Sequence, residues 1–303
     1  MLNSGDLTLQ PHPAIAVVGE ILWDLFPDSA CLGGAPLNFA VHASRLGFRP
    51  LLLSALGRDD FGKRAAKEIE SLGLDMSLLQ WSPRRTGTAS VVLDGRGQPS
   101  FEISRPAAYD DLSLSPELLN RVASRKPTWV YYGTLFAATS EGHKTLRTLL
   151  EALPAAARFY DVNLRHGFDS LELVAELLAS ANVVKLNEPE AERVGRFLGF
   201  PDNLETFCRR GAARFGWKTA CVTLGERGCV LFHKDEFVAV EGEHVEVADT
   251  VGAGDAFAAA LLHGLTMGWP AAEIGRFANR VGALVASRTG AIPEWTMLEA
   301  AAK

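Results

Sequence analysis

The segment Asp249-Thr250-Val251-Gly252-Ala253-Gly254-Asp255 runs directly into Ala256-Phe257-Ala258-Ala259-Ala260-Leu261-Leu262, a run of helix formers. Glycine accepts positive φ and lets backbone come close to a ligand. The amides of Ala253, Gly254 and Asp255 then fall among the N–H groups that open a helix without partners. With the positive end of the helix dipole they make an anion site suited to phosphate. Asp255 sets a carboxylate beside that anion. A mere phosphate holder would avoid such a charge, whereas a site that takes a proton from an attacking hydroxyl needs one. The same residues also read as an ordinary helix N-terminus with a first-turn acid. A second glycine turn, Gly33-Gly34-Ala35-Pro36-Leu37-Asn38, opens another helix, with Pro36 in its first turn and Gly47 as terminator. Gly33 and Gly34 leave room for a ligand, and Asn38 offers both donor and acceptor, as hydroxyl recognition requires. On its own this segment reads more simply as a tight turn and a polar helix residue.

These turns must be held by regular elements. Short apolar runs alternate with helical patterns. Ala14–Val18, Leu51–Leu56, Thr128–Tyr132, Arg158–Val162, Asn182–Leu186 and Thr219–Thr223 read as buried strands. Helices are expected at about 60–72, 140–153, 171–178 and 279–287. Continuous apolar strands between helices imply a mainly parallel sheet covered on both faces. Thr86 to Ser104 breaks the rhythm as strand, turn, strand, with Asp94-Gly95-Arg96-Gly97 at the turn. It reads as a lid over a site or as a surface hairpin.

Composition narrows the function. The chain has 303 residues, 48% of them hydrophobic, enough for a large core without disulfides or metals. A net charge of −6 with no basic block argues against nucleic acid. Cys31, Cys208, Cys221 and Cys229 form no C-x-x-C pair and read as reduced thiols. The segment from Met1 to Pro13 reads as a loose tail without a signal-peptide pattern, and no apolar run reaches membrane-spanning length. The expected location is cytoplasmic. No G-x-G-x-x-G follows the first strand, and no Walker loop is present.

The Gly-Gly pair followed by Asn38-Phe39-Ala40, and Asp249-Thr250-x-Gly252-Ala253-Gly254-Asp255, resemble the two signatures of the ribokinase-like (PfkB) carbohydrate kinase family. The resemblance spans roughly Ile15 to Pro293. It implies a ribokinase-like three-layer α/β sandwich, with residues 1–303 as one kinase domain and a small β lid from about 20–32 and 86–104. It implies an ATP-dependent sugar kinase in which Asp255 deprotonates the sugar hydroxyl and the amides from Gly252 through Asp255 stabilise the transferred phosphoryl group. The helix dipole is expected to keep Asp255 a weak base.

The resemblance further implies sugar contacts from Asp24, Gly33, Gly34, Asn38, Arg105, Asn163 and Arg165. Asp24 and the arginines also read as solvated surface charges. Asn187, Thr223, Gly225, Gly228 and Asn279 are implied at the nucleotide. Asn187-Glu188-Pro189-Glu190 matches a family motif in which Glu190 organises Mg2+ through water; a helix-capping acid is the alternative. Asp249, Ser287 and Gly290 are implied around a monovalent cation such as K+. Lys185 could reach phosphate too, but a lone strand-end lysine is usually only solvated, and it is left out of the expected site. Arg105-Pro106-Ala107-Ala108-Tyr109-Asp110 looks like fructokinases. Ketodeoxygluconate kinases tend to place tyrosines where Ile103 and Ser104 stand here. Nucleoside and ribose kinases are further alternatives. A non-catalytic sugar sensor of the same fold is expected to lose the acid at Asp255. A homodimer through the lid is a further expectation.

Overall fold

Strand β1 (Ala14–Val18) is buried along its whole length and feeds two separate cores. Ile15 and Val17 point into one, and Ala14, Ala16 and Val18 into the other. That is how a strand behaves when both faces of its sheet are covered. The computed structural model describes residues 13–93, 99–200 and 203–301. The expected N-terminal tail, apart from Pro13, and the Asp94-Gly95-Arg96-Gly97 turn lie outside them.

The strands continue as β2 (Leu22–Phe26), β3 (Ser29–Gly33), β4 (Arg49–Leu53), β5 (Ala55–Gly57), β6 (Gln80–Ser82), β7 (Gly87–Leu93) and β8 (Pro99–Ser104). They end with β9 (Trp129–Gly133), β10 (Ala157–Asp161), β11 (Val183–Asn187), β12 (Thr219–Thr223), β13 (Cys229–His233) and β14 (Glu236–Val240). The central sheet has the order β14-β13-β12-β11-β10-β9-β1-β4. It is parallel from β4 to β12, and only β13 runs against its neighbours. Helices Ala35–Arg45, Ala253–Thr266 and Ala271–Ala286 supply the core on one face. Helices such as Ser140–Ala152, Leu171–Ser180 and Leu204–Phe215 supply the other. The result is the expected three-layer α/β architecture.

Three elements depart from the sequence reading. The run Leu51–Leu56 is divided at Ser54, because β5 leaves the central sheet to pair with β6. The β13–β14 hairpin was not expected. Its turn places Lys234 and Asp235 at φ 50 and 65, a left-handed pair usually marked by Asn-Gly, so its signal in sequence is weak. The helix expected from Asn279 already begins at Ala271, behind Pro270 as N-cap.

The segments expected to form a lid do fall together, in a four-stranded sheet of order β3-β2-β7-β8. Buried contacts tie it to the body. The Trp23 indole N–H donates to Phe61 O at 3.1 Å. Gly87 packs so closely on the Tyr109 ring that a Cβ would lie 2.6 Å from it. Arg105, at the end of β8, pairs with Asp110 and donates from Nη1 to Leu135 O at 2.7 Å. Both side chains of that pair are buried. Removing one partner of a buried pair leaves an uncompensated charge. Asp110→Ala is therefore expected to cost about 3–5 kcal/mol of stability, read as a lower denaturation midpoint at unchanged m-value.

Candidate active site

The turn before helix Ala253–Thr266 is fixed by its own chemistry. Gly252 is the N-cap, with φ 77, and a Cβ there would lie 2.1 Å from Ala291 O. Only glycine fits such a position. The Asp249 carboxylate ties both sides together. Oδ1 accepts from Val251 N and Oδ2 from Gly290 N, each at 3.0 Å. The neighbouring loop is held in turn by helix Ala35–Arg45. Arg45 donates to Pro293 O at 2.6 Å and to Ile292 O at 3.1 Å. His42 Nδ1 accepts from the Trp295 indole at 3.0 Å, so its Nε2–H donates to Ala291 O at 3.1 Å. Burial pulls His42 down to about 4, against the raising effect of the Ala291 bond, so it stays neutral in that tautomer.

The amides differ from the sequence expectation. Ala253 N bonds Thr250 O at 3.3 Å, and Asp255 N bonds Gly252 O at 3.1 Å, as the first turn tightens. Among the described residues, the Gly252 and Gly254 amides have no acceptor. These two remain to meet an anion. Gly254 carries no positive φ; the strained position is Gly252.

Asp255 stands in the first helical turn, and its Oδ2 accepts from Asn38 Nδ2 at 2.8 Å. The expectation of a weak base is corrected here. Burial pushes Asp255 up to about 6, helped by the charge of Asp161, while Asn38, Lys185 and Arg165 pull it back. Desolvation outweighs the helix dipole. Lys185 corrects a second expectation. It is buried, and its Nζ donates to Asp161 Oδ1 and Oδ2 at 3.0 and 3.1 Å. Burial alone would lower its pKa, but Asp161, Glu190 and Asp255 outweigh burial and raise it. Tyr131 OH also donates to Asp161 at 3.2 Å. A Cβ on Gly254 would lie 3.5 Å from Lys185 Nζ, so the ammonium faces the glycine turn. Parallel pairing makes this cluster, because Asp161 of β10 is in register with Lys185 of β11.

Two clefts meet over this point. One, of about 330 Å³, is lined by Asp24, Asn38, Asn163, Arg165, Lys185 and Asp255, and also by Ala89 and Ile103 of the four-stranded sheet. Gly34 lines it as well, whereas Gly33 does not and packs on Asp24. A Cβ on Gly33 would lie 2.9 Å from Asp24 Oδ2, and Gly34 has φ 106. Burial pushes Asp24 up to about 6, against the pull of Arg165. Asn163 holds a left-handed φ of 40. Asn38 Oδ1 is buried without a partner among the described residues, an acceptor that a ligand hydroxyl would satisfy. Arg105 does not line this cleft; Asp110 and Leu135 O hold its guanidinium. Glu20 does line it, and sequence reasoning did not single it out.

The second cleft, of about 280 Å³, shares Thr223, Thr250 and Gly254 with the first. Gly225, Gly228, Phe257 and Asn279 line it further. Gly228 has φ 96 and packs on Val240 O, and Asn279 Nδ2 holds Glu241 O at 2.9 Å. The shape suits a flat base and a phosphate chain that ends at Gly254. Asn187 lines the first cleft instead, and forms a capping box with Glu190. Glu190 Oε2 accepts from Asn187 N at 2.8 Å, and Oε1 from Leu164 N at 2.7 Å. Glu190 is buried and lines neither cleft, so it could bear on a magnesium ion there only indirectly, through water. No group of three or more His, Cys, Asp or Glu among the described residues is placed to hold a metal. Ser287 caps helix Ala271–Ala286, near the Asp249–Gly290 bond.

The family description "pfkB family carbohydrate kinase" matches residues 29–297. The chain is 31% identical over 277 residues to probable fructokinase-3 of Arabidopsis thaliana, covering 86% of this chain and 79% of that protein. A fructokinase from Vibrio cholerae O395, solved with fructose, ADP and calcium ion bound, superposes with a TM-score of 0.77 at 26% identity, covering 92% of this chain and 94% of the other. A 2-dehydro-3-deoxygluconokinase from Thermotoga maritima superposes at 0.82 with 20% identity, over 95% and 98% of the two chains, and shares the fold.

The two glycines of the turn are expected to fail differently. Gly252→Ala meets Ala291 O and a left-handed φ, so the folded state should lose about 1–3 kcal/mol or more, visible as a lower melting temperature. Gly254→Val should melt near wild type but lose phosphoryl transfer while still binding sugar by calorimetry. Retained turnover in Gly254→Val would show that no anion lies against this turn.

Proposed function

The chain belongs to the pfkB family of carbohydrate kinases, and from that premise we propose that it transfers the γ-phosphoryl group of ATP to the 6-hydroxyl of fructose, giving fructose 6-phosphate and ADP. It is a sugar phosphotransferase, and the proposal concerns which sugar. One observation carries the phosphoryl-transfer chemistry. Asp255 lines the first cleft beside Gly254, which both clefts share, and is hydrogen-bonded to Asn38 and next to the unengaged amides of Gly252 and Gly254. A sugar hydroxyl held between Asn38 and Asp255 gives its proton to Asp255. Its oxygen then attacks the γ-phosphorus, and ADP leaves along the second cleft. The glycine amides and the Lys185 ammonium meet the charge on the transferred group. When bound on the ATP phosphates, Mg2+ supplies further neutralising charge, with Glu190 acting through its waters.

Fructose is favoured over an acid sugar by the charges around the cleft. Glu20, Asp24 and Asp255 line it, whereas Arg105 is committed to Asp110 and Lys185 to Asp161. The relatives from Arabidopsis and Vibrio named above carry fructokinase names. Ketodeoxygluconate is the second reading. It rests on Arg165, an exposed cation at the cleft that forms no ion pair among the described residues. A non-catalytic sugar sensor is disfavoured because the acid at Asp255 is kept. We also assign to this reading a K+ site around Asp249, Ser287 and Gly290, a cytoplasmic location, a homodimer through the four-stranded sheet and no nucleic-acid partner. No helix among the described residues is long and apolar enough to cross a membrane.

The test is ADP release, coupled to a reporter, over ketoses, aldoses, ketodeoxygluconate and nucleosides. Preference for ketodeoxygluconate would overturn fructose and leave the kinase intact. Asp255→Asn keeps the size but cannot take the proton, so kcat should fall by roughly 10²–10⁴ with little change in ATP affinity. Near-wild-type turnover would remove Asp255 from this role. Because Asp255 must be ionised to act and its carboxyl is held at about 6, kcat/KM for the sugar should fall as pH drops through that value. The acid limb should steepen to about tenfold per pH unit. Asn38→Ala removes a bond that holds Asp255 down, so its limb should lie at higher pH.

A further inference from the structure

The sugar cleft holds a carboxylate that no motif marked and that the reaction above does not need. Glu20 follows β1. It is 5% exposed yet lines the cleft. Its Oε2 has no hydrogen-bond partner among the described residues. Its backbone carbonyl is wedged against Gly34, where a Cβ would approach to 2.5 Å, which fixes the point from which the side chain projects. A buried carboxylate oxygen without a donor carries a desolvation cost that a ligand donor would relieve. Among the described residues no donor reaches that oxygen. Arg105 is held by Asp110 and Leu135 O, and the Tyr131 hydroxyl donates to Asp161. The charges of Arg165, Asp255 and Arg105 act on Glu20 without bonding it, and Glu20 in turn raises the neutral Tyr109 hydroxyl, which is also buried without a partner among the described residues.

We propose that Glu20 is a specificity residue whose Oε2 accepts a hydrogen bond from a hydroxyl of the bound sugar and whose charge disfavours anionic sugars. This rests on the cleft holding a sugar, but not on the sugar being fructose. Burial pushes Glu20 up to about 7, with its own backbone amide, Arg165 and Arg105 pulling it down and Asp255 adding to the rise. A hydroxyl donor stabilises the ionised form. Sugar binding therefore expels a proton, and binding tightens as pH rises through about 7. Burial also pushes Asp24 and Asp255 up, to about 6, so the Glu20→Gln variant is what isolates the Glu20 proton.

The experiment is calorimetry of the best neutral sugar from the panel near pH 7, in buffers of different ionisation enthalpy, on wild type, Glu20→Gln and Glu20→Ala. KM for ATP reports that the fold and the nucleotide cleft survive. Glu20→Ala should weaken the sugar by about tenfold or more at unchanged KM for ATP. Glu20→Gln, which keeps the shape, should abolish proton release and raise the relative rate on ketodeoxygluconate. Wild-type sugar affinity in both variants, or proton release that persists in Glu20→Gln, would overturn the proposal. A panel in which a neutral sugar other than fructose is preferred overturns the fructose reading alone, and the same measurements on that sugar decide Glu20.

Discussion

The buried ion pair between Lys185 and Asp161 is the constraint on which the rest of the site depends. Two charges taken out of water are tolerable only when each is well compensated. Here the ammonium meets both oxygens of one carboxylate, and Tyr131 adds a further donor. The pair stands at the ends of adjacent parallel strands, where an open α/β sheet leaves its crevice. Its two members act on Asp255 in opposite directions. Asp161 raises the carboxyl and Lys185 lowers it, and burial leaves the balance at about 6. A carboxylate held there is more basic than an exposed aspartate. The same burial that makes the pair costly in isolation makes each nearby charge effective, because little water screens it.

One helix couples the two halves of the site. At its start, Ala35–Arg45 carries Asn38, which bonds Asp255. At its end, His42 and Arg45 grip the carbonyls of Ala291, Ile292 and Pro293. Ala291 in turn packs on Gly252, the residue whose left-handed φ aims the phosphate turn. The rim of the first cleft and the loop behind the glycine turn are therefore positioned by the same helix. Phosphoryl transfer depends on in-line placement more than on covalent chemistry, so this shared support is where positional accuracy originates.

Charge distribution gives the first cleft its character. Carboxylates line it from three directions, while Arg105 and Lys185 are already paired within the protein. Arg165 is the exposed exception, at the mouth. Such a surface favours hydroxyl donors and resists a further anion, whereas the second cleft combines glycine backbone, alanines and Phe257 with Glu226, Glu243 and His244.

Much of this was legible in sequence. Apolar runs of strand length between helical patterns determine a parallel sheet covered on both faces, and the glycine turns determine where helices open toward a ligand. These are local properties, set by side-chain periodicity and by the φ that glycine permits. Asp255, Asn38, Asp24, Asn163 and Arg165 accordingly stand in one cleft. The pairings across the chain were not legible. Lys185 read as solvated until β10 and β11 came into register and set Asp161 against it. Arg105 read as a sugar contact until Asp110 and Leu135 O were brought to its guanidinium. Asp255 read as a weak base because the dipole is a local effect, whereas the burial that raises it comes from elements far away in sequence. Glu20 carries no motif at all, and only enclosure exposes its unpartnered oxygen. Composition and spacing determined the elements and the chemistry they could present. Which charge is paired, which amide is left unengaged and which carboxyl keeps its proton were decided by tertiary packing, because desolvation and long-range pairing exist only once the chain has closed on itself.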